Sequence, residues 1–165
     1  MSQFHLSKKS KRRLQEVHPL LVQFVKDAIL KSPIDFLVFE GLRSLERQRE
    51  YVARGVSKKM ESKHLEQEDG YSHAVDLVPI VHGQARWEID PCIQIAAAMA
   101  DVASAAAAWS EPDWRLVWGG GWSAVATSAG MRYDPEREML KYIDRCRKEN
   151  RKPFVDGPHF EIRFR

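Results

Sequence analysis

Cysteine is nearly absent: the 165-residue chain carries two, Cys92 and Cys146, far apart and in no Cys-x-x-Cys pair. A cysteine zinc cluster and a disulfide framework are therefore excluded, and one domain of this length buries a core without either. The chain also lacks an apolar run of membrane-spanning length, and no apolar signal core follows Met1, Ser2 and Gln3 before the lysines at 8 and 9. It is expected to be made in a cytosol and not exported by a signal of its own. Low-complexity tracts and repeats are missing too, which leaves a globular chain with charges of mixed sign. An excess of one charge sign is also lacking: 26 Lys and Arg face 23 Asp and Glu, a net charge of +3. That suits an anionic partner but is too small to argue for nucleic-acid binding.

What is present reads as alternating helices and strands. Ser7 can cap a helix over 8–31, with Leu14, Val17, Leu21, Phe24, Val25, Ala28 and Ile29 at helical spacing and a basic face of Lys8, Lys9, Lys11, Arg12 and Arg13 that reads as solvated surface. Phe36 to Phe39 reads as a buried strand ending at Glu40 and Gly41, and Ser44 caps a second helix closed by Gly55. Arg43 thus falls where a strand meets a helix. Lys58 to Gly70 is polar loop, and Ala74 to Ile80 is an apolar strand carrying one acid, Asp76. Asp90-Pro91 starts an Ala-rich helix running to Ala108, Leu116 to Trp118 is a strand entering Gly119-Gly120-Gly121-Trp122, and Ser123 to Gly130 reads as a flexible loop. The three glycines would let backbone approach a ligand closely. Asp134-Pro135 starts a helix to about Asn150, and His159 to Phe164 alternates as a last strand, with Phe160, Ile162 and Phe164 on one face and His159, Glu161 and Arg163 on the other.

Chemistry concentrates in two stretches, Ser62 to Leu77 and Asp156 to Glu161. An ionised carboxylate on an apolar strand is costly unless it pairs with a charge or binds a metal, so Asp76 needs a reason. His64, Asp76 and His159 together supply the three nitrogen and oxygen ligands of a catalytic zinc site, leaving a fourth position for water and Asp156 free as general base. His73 competes with His64 for the ligand role, although its odd spacing from Asp76 would turn the two side chains to opposite faces of a regular strand. The acidic loop residues Glu66, Glu68 and Asp69 read as solvated surface in preference to a second cation site.

These pieces, in order, resemble the LAS, or D-alanyl-D-alanine, peptidase family, and in particular its L-alanyl-D-glutamate branch from phages and bacilli. Gly41-Leu42-Arg43-Ser44 with Glu46-Arg47-Gln48 is similar to the family's arginine segment, Ser62-Lys63-His64 to its Ser-x-His, and Ala74-Val75-Asp76 to its Ala-x-Asp. Trp118-Gly119-Gly120 is similar to its Trp-Gly-Gly turn and Asp156 to Glu161 to its Asp-x-x-His-Phe-Glu ending. The resemblance covers roughly 36–164. It implies an α+β fold of the hedgehog and D-Ala-D-Ala peptidase type, with a small central antiparallel sheet flanked by helices in one domain. It also implies one zinc ion on His64, Asp76 and His159, with Asp156 as base and substrate contacts from Arg43, Gln48, Ser62 and Trp118.

Two departures stand out: Leu65 to Tyr71 lengthens the segment between His64 and Asp76, with Ser72 where a glycine is expected, and Ser123 to Phe154 is longer than in relatives. A surface insertion of about five residues is tolerable thermodynamically yet able to displace His64. The resulting expectation is a phage endolysin that cuts the L-alanyl-D-glutamate bond of the peptidoglycan stem peptide. It would act as a monomer, without nucleic acid or membrane partners, made in the host cytoplasm and reaching the wall after the membrane is opened. A D-alanyl-D-alanine carboxypeptidase and a non-catalytic, metal-stabilised wall-binding module are the alternatives; a magnesium or manganese nuclease is disfavoured by the imidazoles.

Overall fold

Alternating apolar residues in the last strand set the plan of the molecule, because that strand becomes the middle of the sheet. The computed structural model describes residues 4–110 and 113–165, so the expectation for Met1 to Gln3 lies outside it. In chain order the elements are α1 (Lys8–Arg13), α2 (Pro19–Lys31), β1 (Asp35–Glu40), α3 (Leu45–Ala53), β2 (Ala74–Val81), β3 (Gln84–Ala85), α4 (Ile89–Ala106), β4 (Trp114–Trp118), β5 (Ser123–Thr127), α5 (Pro135–Lys148) and β6 (His159–Phe164). The strands form one antiparallel sheet in the order β1, β2, β6, β4, β5, with β3 folded back on β2. The α+β architecture is the one expected.

One face of this sheet meets the helices. Val75 and Leu77 of β2, Leu116 of β4 and Phe160 and Ile162 of β6 join Leu21, Phe24, Ile95 and Met99 of α2 and α4 in a single buried cluster. Burying such side chains, at roughly 1.5–3 kcal/mol each, fixes this face of the sheet against the helices and leaves the other face open. That other face carries the polar residues of the same strands: Asp76 between Val75 and Leu77, and His159 and Glu161 flanking Phe160. Period-two alternation thus separates core from chemistry.

Three expectations need correction. The helix over 8–31 is two helices, because Pro19 has no N–H to donate and its ring obstructs the preceding turn; it opens α2 at the first position, with His18 Nδ1 accepting the Leu20 N–H at 3.2 Å. Ser123 to Gly130 is not simply a loop: Ser123–Thr127 is β5, paired antiparallel with β4. Its residues are small and weakly apolar, so its strand character comes from the hairpin partner and not from propensity. Finally, α4 is long and apolar enough to cross a membrane by length and composition. Half of it is buried inside the molecule, where Cys92, Ile95, Ala96, Met99 and Ala103 pack into the core.

Candidate metal centre and cleft

Strand register builds the site. Glu40 of β1 lies opposite Asp76 of β2, and Asp76 lies opposite His159 of β6, so three polar residues stand side by side across three strands. A bulge between Val38 and Glu40 adds Phe39 to β1 and brings Glu40 into line. The third ligand arrives from the loop between α3 and β2. His64 donates its N–H to Ser62 Oγ at 3.2 Å, and its carbonyl accepts the Arg43 N–H at 2.8 Å. The inserted segment then closes on itself, with the Gln67 N–H donating to Tyr71 O at 2.9 Å and the His73 N–H to Lys63 O at 2.8 Å. The extra residues bulge outward and leave His64 in the site.

Proton inventory decides what the centre can hold. His64 Nδ1 is 2.8 Å from the Gly41 carbonyl, which can only accept, so Nδ1 carries the proton and Nε2 a lone pair. His159 Nε2 is 2.9 Å from Glu161 Oε2 and donates to it, which leaves Nδ1 with the lone pair. His64 Nε2, His159 Nδ1 and Asp76 Oδ1 are each 3.2 Å from the other two. With both rings neutral, three acceptors face one another, an arrangement that repels unless a proton or a metal cation lies among them. In a tetrahedral zinc site with bonds of about 2.0–2.1 Å, ligand atoms are about 3.3 Å apart, so the triangle fits such an ion. Among the described residues these three are the group that could hold a metal.

Electrostatics carry the same signature. Burial opposes charge on Asp76, but the His64 charge and the hydrogen bonds to His159 and His64 overcome it and hold the carboxyl far below the usual range. Burial likewise lowers the His159 imidazole, yet the hydrogen bonds to Asp76 and Glu161 outweigh it and push the group up to about 10. Without an ion in the triangle a proton on Nδ1 meets the Asp76 carboxylate, and a bound cation would take that proton's place. Glu161, against its burial, is drawn down to about 2 by His159 and by Arg163, and so stays an anion behind the imidazole.

Asp156 is placed by the glycine turn. Its N–H donates to Gly119 O at 3.0 Å, and the Gly119 N–H donates to His159 O at 2.8 Å. A Cβ on Gly119 would lie 2.5 Å from Asp156 O and 2.9 Å from His159 Cβ. Close backbone approach is therefore needed, as expected of these glycines, but toward the protein's own Asp156 and His159. Burial raises the Asp156 carboxyl above the usual range; His159, His64 and Arg43 pull it back and Asp76 adds to the rise.

Arg43 lies between β1 and α3, where its Nε donates to Glu40 Oε2 at 3.0 Å, a second guanidinium N–H donates to the same oxygen, and Nη1 donates to Gln48 Oε1 at 2.7 Å. The guanidinium also stacks over Tyr51 at 4.6 Å. Two of the expected substrate contacts are corrected here. Gln48 is 0% exposed and spends its amide on Arg43, on Ser57 Oγ and on Lys59 O, so it fixes Arg43 and the loop beyond it. Trp118 is also 0% exposed; its ring packs into the core beside Gly120, and its indole N–H donates to Gly157 O at 2.7 Å. Ser62 does line the cleft, as do Arg43, His64, Asp76, Asp156 and His159, and the tryptophans that join them are Trp87 and Trp122. The cleft is about 1230 Å³. His73 is elsewhere, 2.7 Å from Asp69 Oδ2.

Glu40, Glu161 and the Gly41 carbonyl are functional groups that sequence reasoning missed. Glu161 had a signal, since it shares a strand face with His159 two residues away; the other two act through a bulge and a backbone atom, which side-chain patterns do not record. Carboxylates behind ligating imidazoles fix ring orientation and raise basicity. Glu161→Ala is therefore expected to weaken affinity for a divalent metal about 10- to 100-fold, measured by competition with a chelating indicator.

Comparison with known proteins places this geometry in context. A model of the family described as phage L-alanyl-D-glutamate peptidase matches residues 1–163. The L-alanyl-D-glutamate peptidase of Escherichia phage T5 is 29% identical over 87 residues, which cover 51% of this chain and 60% of that enzyme. The crystal structure of the Serratia marcescens L-Ala D-Glu endopeptidase ChiX superposes with a TM-score of 0.67 at 31% identity, covering 96% of this chain and 90% of that one.

Proposed function

Because the chain belongs to the phage L-alanyl-D-glutamate peptidase family, we propose that it is a zinc peptidase hydrolysing the L-alanyl-D-glutamate bond of the peptidoglycan stem peptide. The observation that carries this reading is the convergence of three lone-pair atoms, 3.2 Å apart, in a cleft that also holds a carboxylate outside the set. Two imidazoles and one carboxylate are the donor set of a catalytic zinc site with a position left for solvent. When bound there, zinc supplies a water of pKa about 7 and a Lewis acid for the scissile carbonyl.

The chain's own residues divide the remaining tasks. Asp156 accepts the nucleophile's proton on its carboxylate and passes it to the nitrogen of the departing D-glutamate, and its raised pKa suits it to hold that proton between the two transfers. Arg43 has three of its five N–H donors fixed by Glu40 and Gln48, which keeps the other two for a substrate oxygen. Gly41 O and Glu161 stop the two imidazoles from turning. Family membership also supports a role in host lysis, in which a chain made in the host cytoplasm meets the wall once the membrane has been opened.

Mass spectrometry of purified wall fragments tests the bond assignment. New N-terminal D-glutamate is expected; release of free D-alanine without it would reject the choice of bond.

A further inference from the structure

The long passage between the glycine turn and Asp156 contributes an aromatic wall that the hydrolytic chemistry does not use. Trp122 and Phe154 line the cleft with nearly parallel rings, 17° apart and offset, their centroids separated by 5.8 Å. The Trp122 ring is 5.3 Å from that of His159, so the wall begins at the candidate metal centre. It is held rigidly: the indole N–H donates to Phe154 O at 2.7 Å, and the Phe154 N–H donates to Tyr142 Oη of α5 at 3.1 Å. Trp122 adopts a φ of 50°, a left-handed conformation that a bulky residue rarely takes. Phe154 nevertheless stays 44% exposed. Lys58 from the facing loop stands 5.2 Å from its ring centroid and puts an ammonium donor at the rim.

An alanine methyl is too small to cover two offset rings. In peptidoglycan, the L-alanine of the stem is joined through a lactyl ether to a hexose, so alanine and the lactyl unit together put the sugar about two residue lengths, roughly 7 Å, from the scissile bond. The C–H face of a pyranose is flat and apolar, and it packs on an aromatic ring while its hydroxyl and acetamido oxygens accept from donors at the edge. Resting on the peptidase reading above, we infer that Trp122 and Phe154 form a subsite for the N-acetylmuramyl sugar, with Lys58 as a donor to its polar rim. The enzyme then selects stem peptides still attached to glycan over peptides already released.

The test compares two capped substrates, the stem peptide N-acetylated on L-alanine and the same peptide carried on N-acetylmuramic acid. The zinc-loaded wild type is expected to prefer the muramyl peptide by about tenfold in kcat/KM, the size of one good stacking contact. Trp122→Ala and Phe154→Ala should each remove most of that ratio, and Trp122→Phe should keep it. Only Trp122→Ala also removes the indole anchor to Phe154 O, so Phe154→Ala isolates the loss of ring surface. No preference in the wild type, or equal losses on both substrates in the variants, would overturn the subsite. A wild type that cleaves neither substrate would overturn the peptidase reading, and the subsite with it.

Discussion

Asp156→Asn is expected to lower kcat by about 10²- to 10⁴-fold while leaving bound zinc unchanged. The carboxylate lies outside the ligand triangle, so losing its charge removes a proton carrier and spares the metal. Burial raises the Asp156 carboxyl above the ordinary range. It is proton-free above its pKa and blocked below it, so kcat/KM of the zinc-saturated enzyme should fall as pH drops, through a limb that Asp156→Asn lacks. An acid limb that persists unchanged in Asp156→Asn would contradict the role. Stability separates lost chemistry from lost fold. A carboxyl whose pKa is higher folded than unfolded opposes folding when ionised, so metal-free Asp156→Asn should melt no lower than its parent at neutral pH.

His159→Ala is expected to remove both zinc and turnover. Of the three donors, His159 has the most completed surroundings: Nδ1 faces His64 and Asp76, Nε2 is held by Glu161, and the backbone pairs with Gly119 and Asp76. Its loss leaves two donors, too few for tight binding, and deprives Glu161 of its partner. His64→Ala and Asp76→Ala should behave alike in zinc analysis of the purified proteins. His73→Ala is the control: its ring contacts Asp69, His18 and Phe164, so zinc content should match the wild type. Loss of zinc from His73→Ala with retention in His64→Ala would show that the inserted loop had exchanged the ligands.

Much of this site could be read from residue order because strands convert spacing into facing directions. Asp76 stood out as a lone acid in an apolar strand, and the alternation from His159 to Phe164 separated a polar face from the core face. Arg43 was placed by the strand end at Glu40 and the Ser44 cap, both of which the structure keeps. What stayed hidden depends on contacts distant in sequence. Trp118 and Trp122 look equivalent around three glycines, yet one points into the core under Gly157 and the other into the cleft, a choice made by the hairpin of β4 and β5. Gln48 was expected as a substrate contact because it lies in the segment that resembles the family's arginine stretch, whereas its fully used amide makes burial tolerable. Pro19 was visible and decisive, and the apolar spacing on either side of it concealed the break.

X-ray absorption at the zinc edge of the zinc-loaded protein addresses the metal centre itself. Two imidazole rings and oxygen donors are expected in the first shell at about 2.0–2.2 Å, with no sulfur, and the imidazole count should fall to one in His64→Ala forced to bind by excess metal. A sulfur scatterer at about 2.3 Å, or an imidazole count unaffected by the loss of His64, would contradict the assignment of His64, Asp76 and His159 as the ligands.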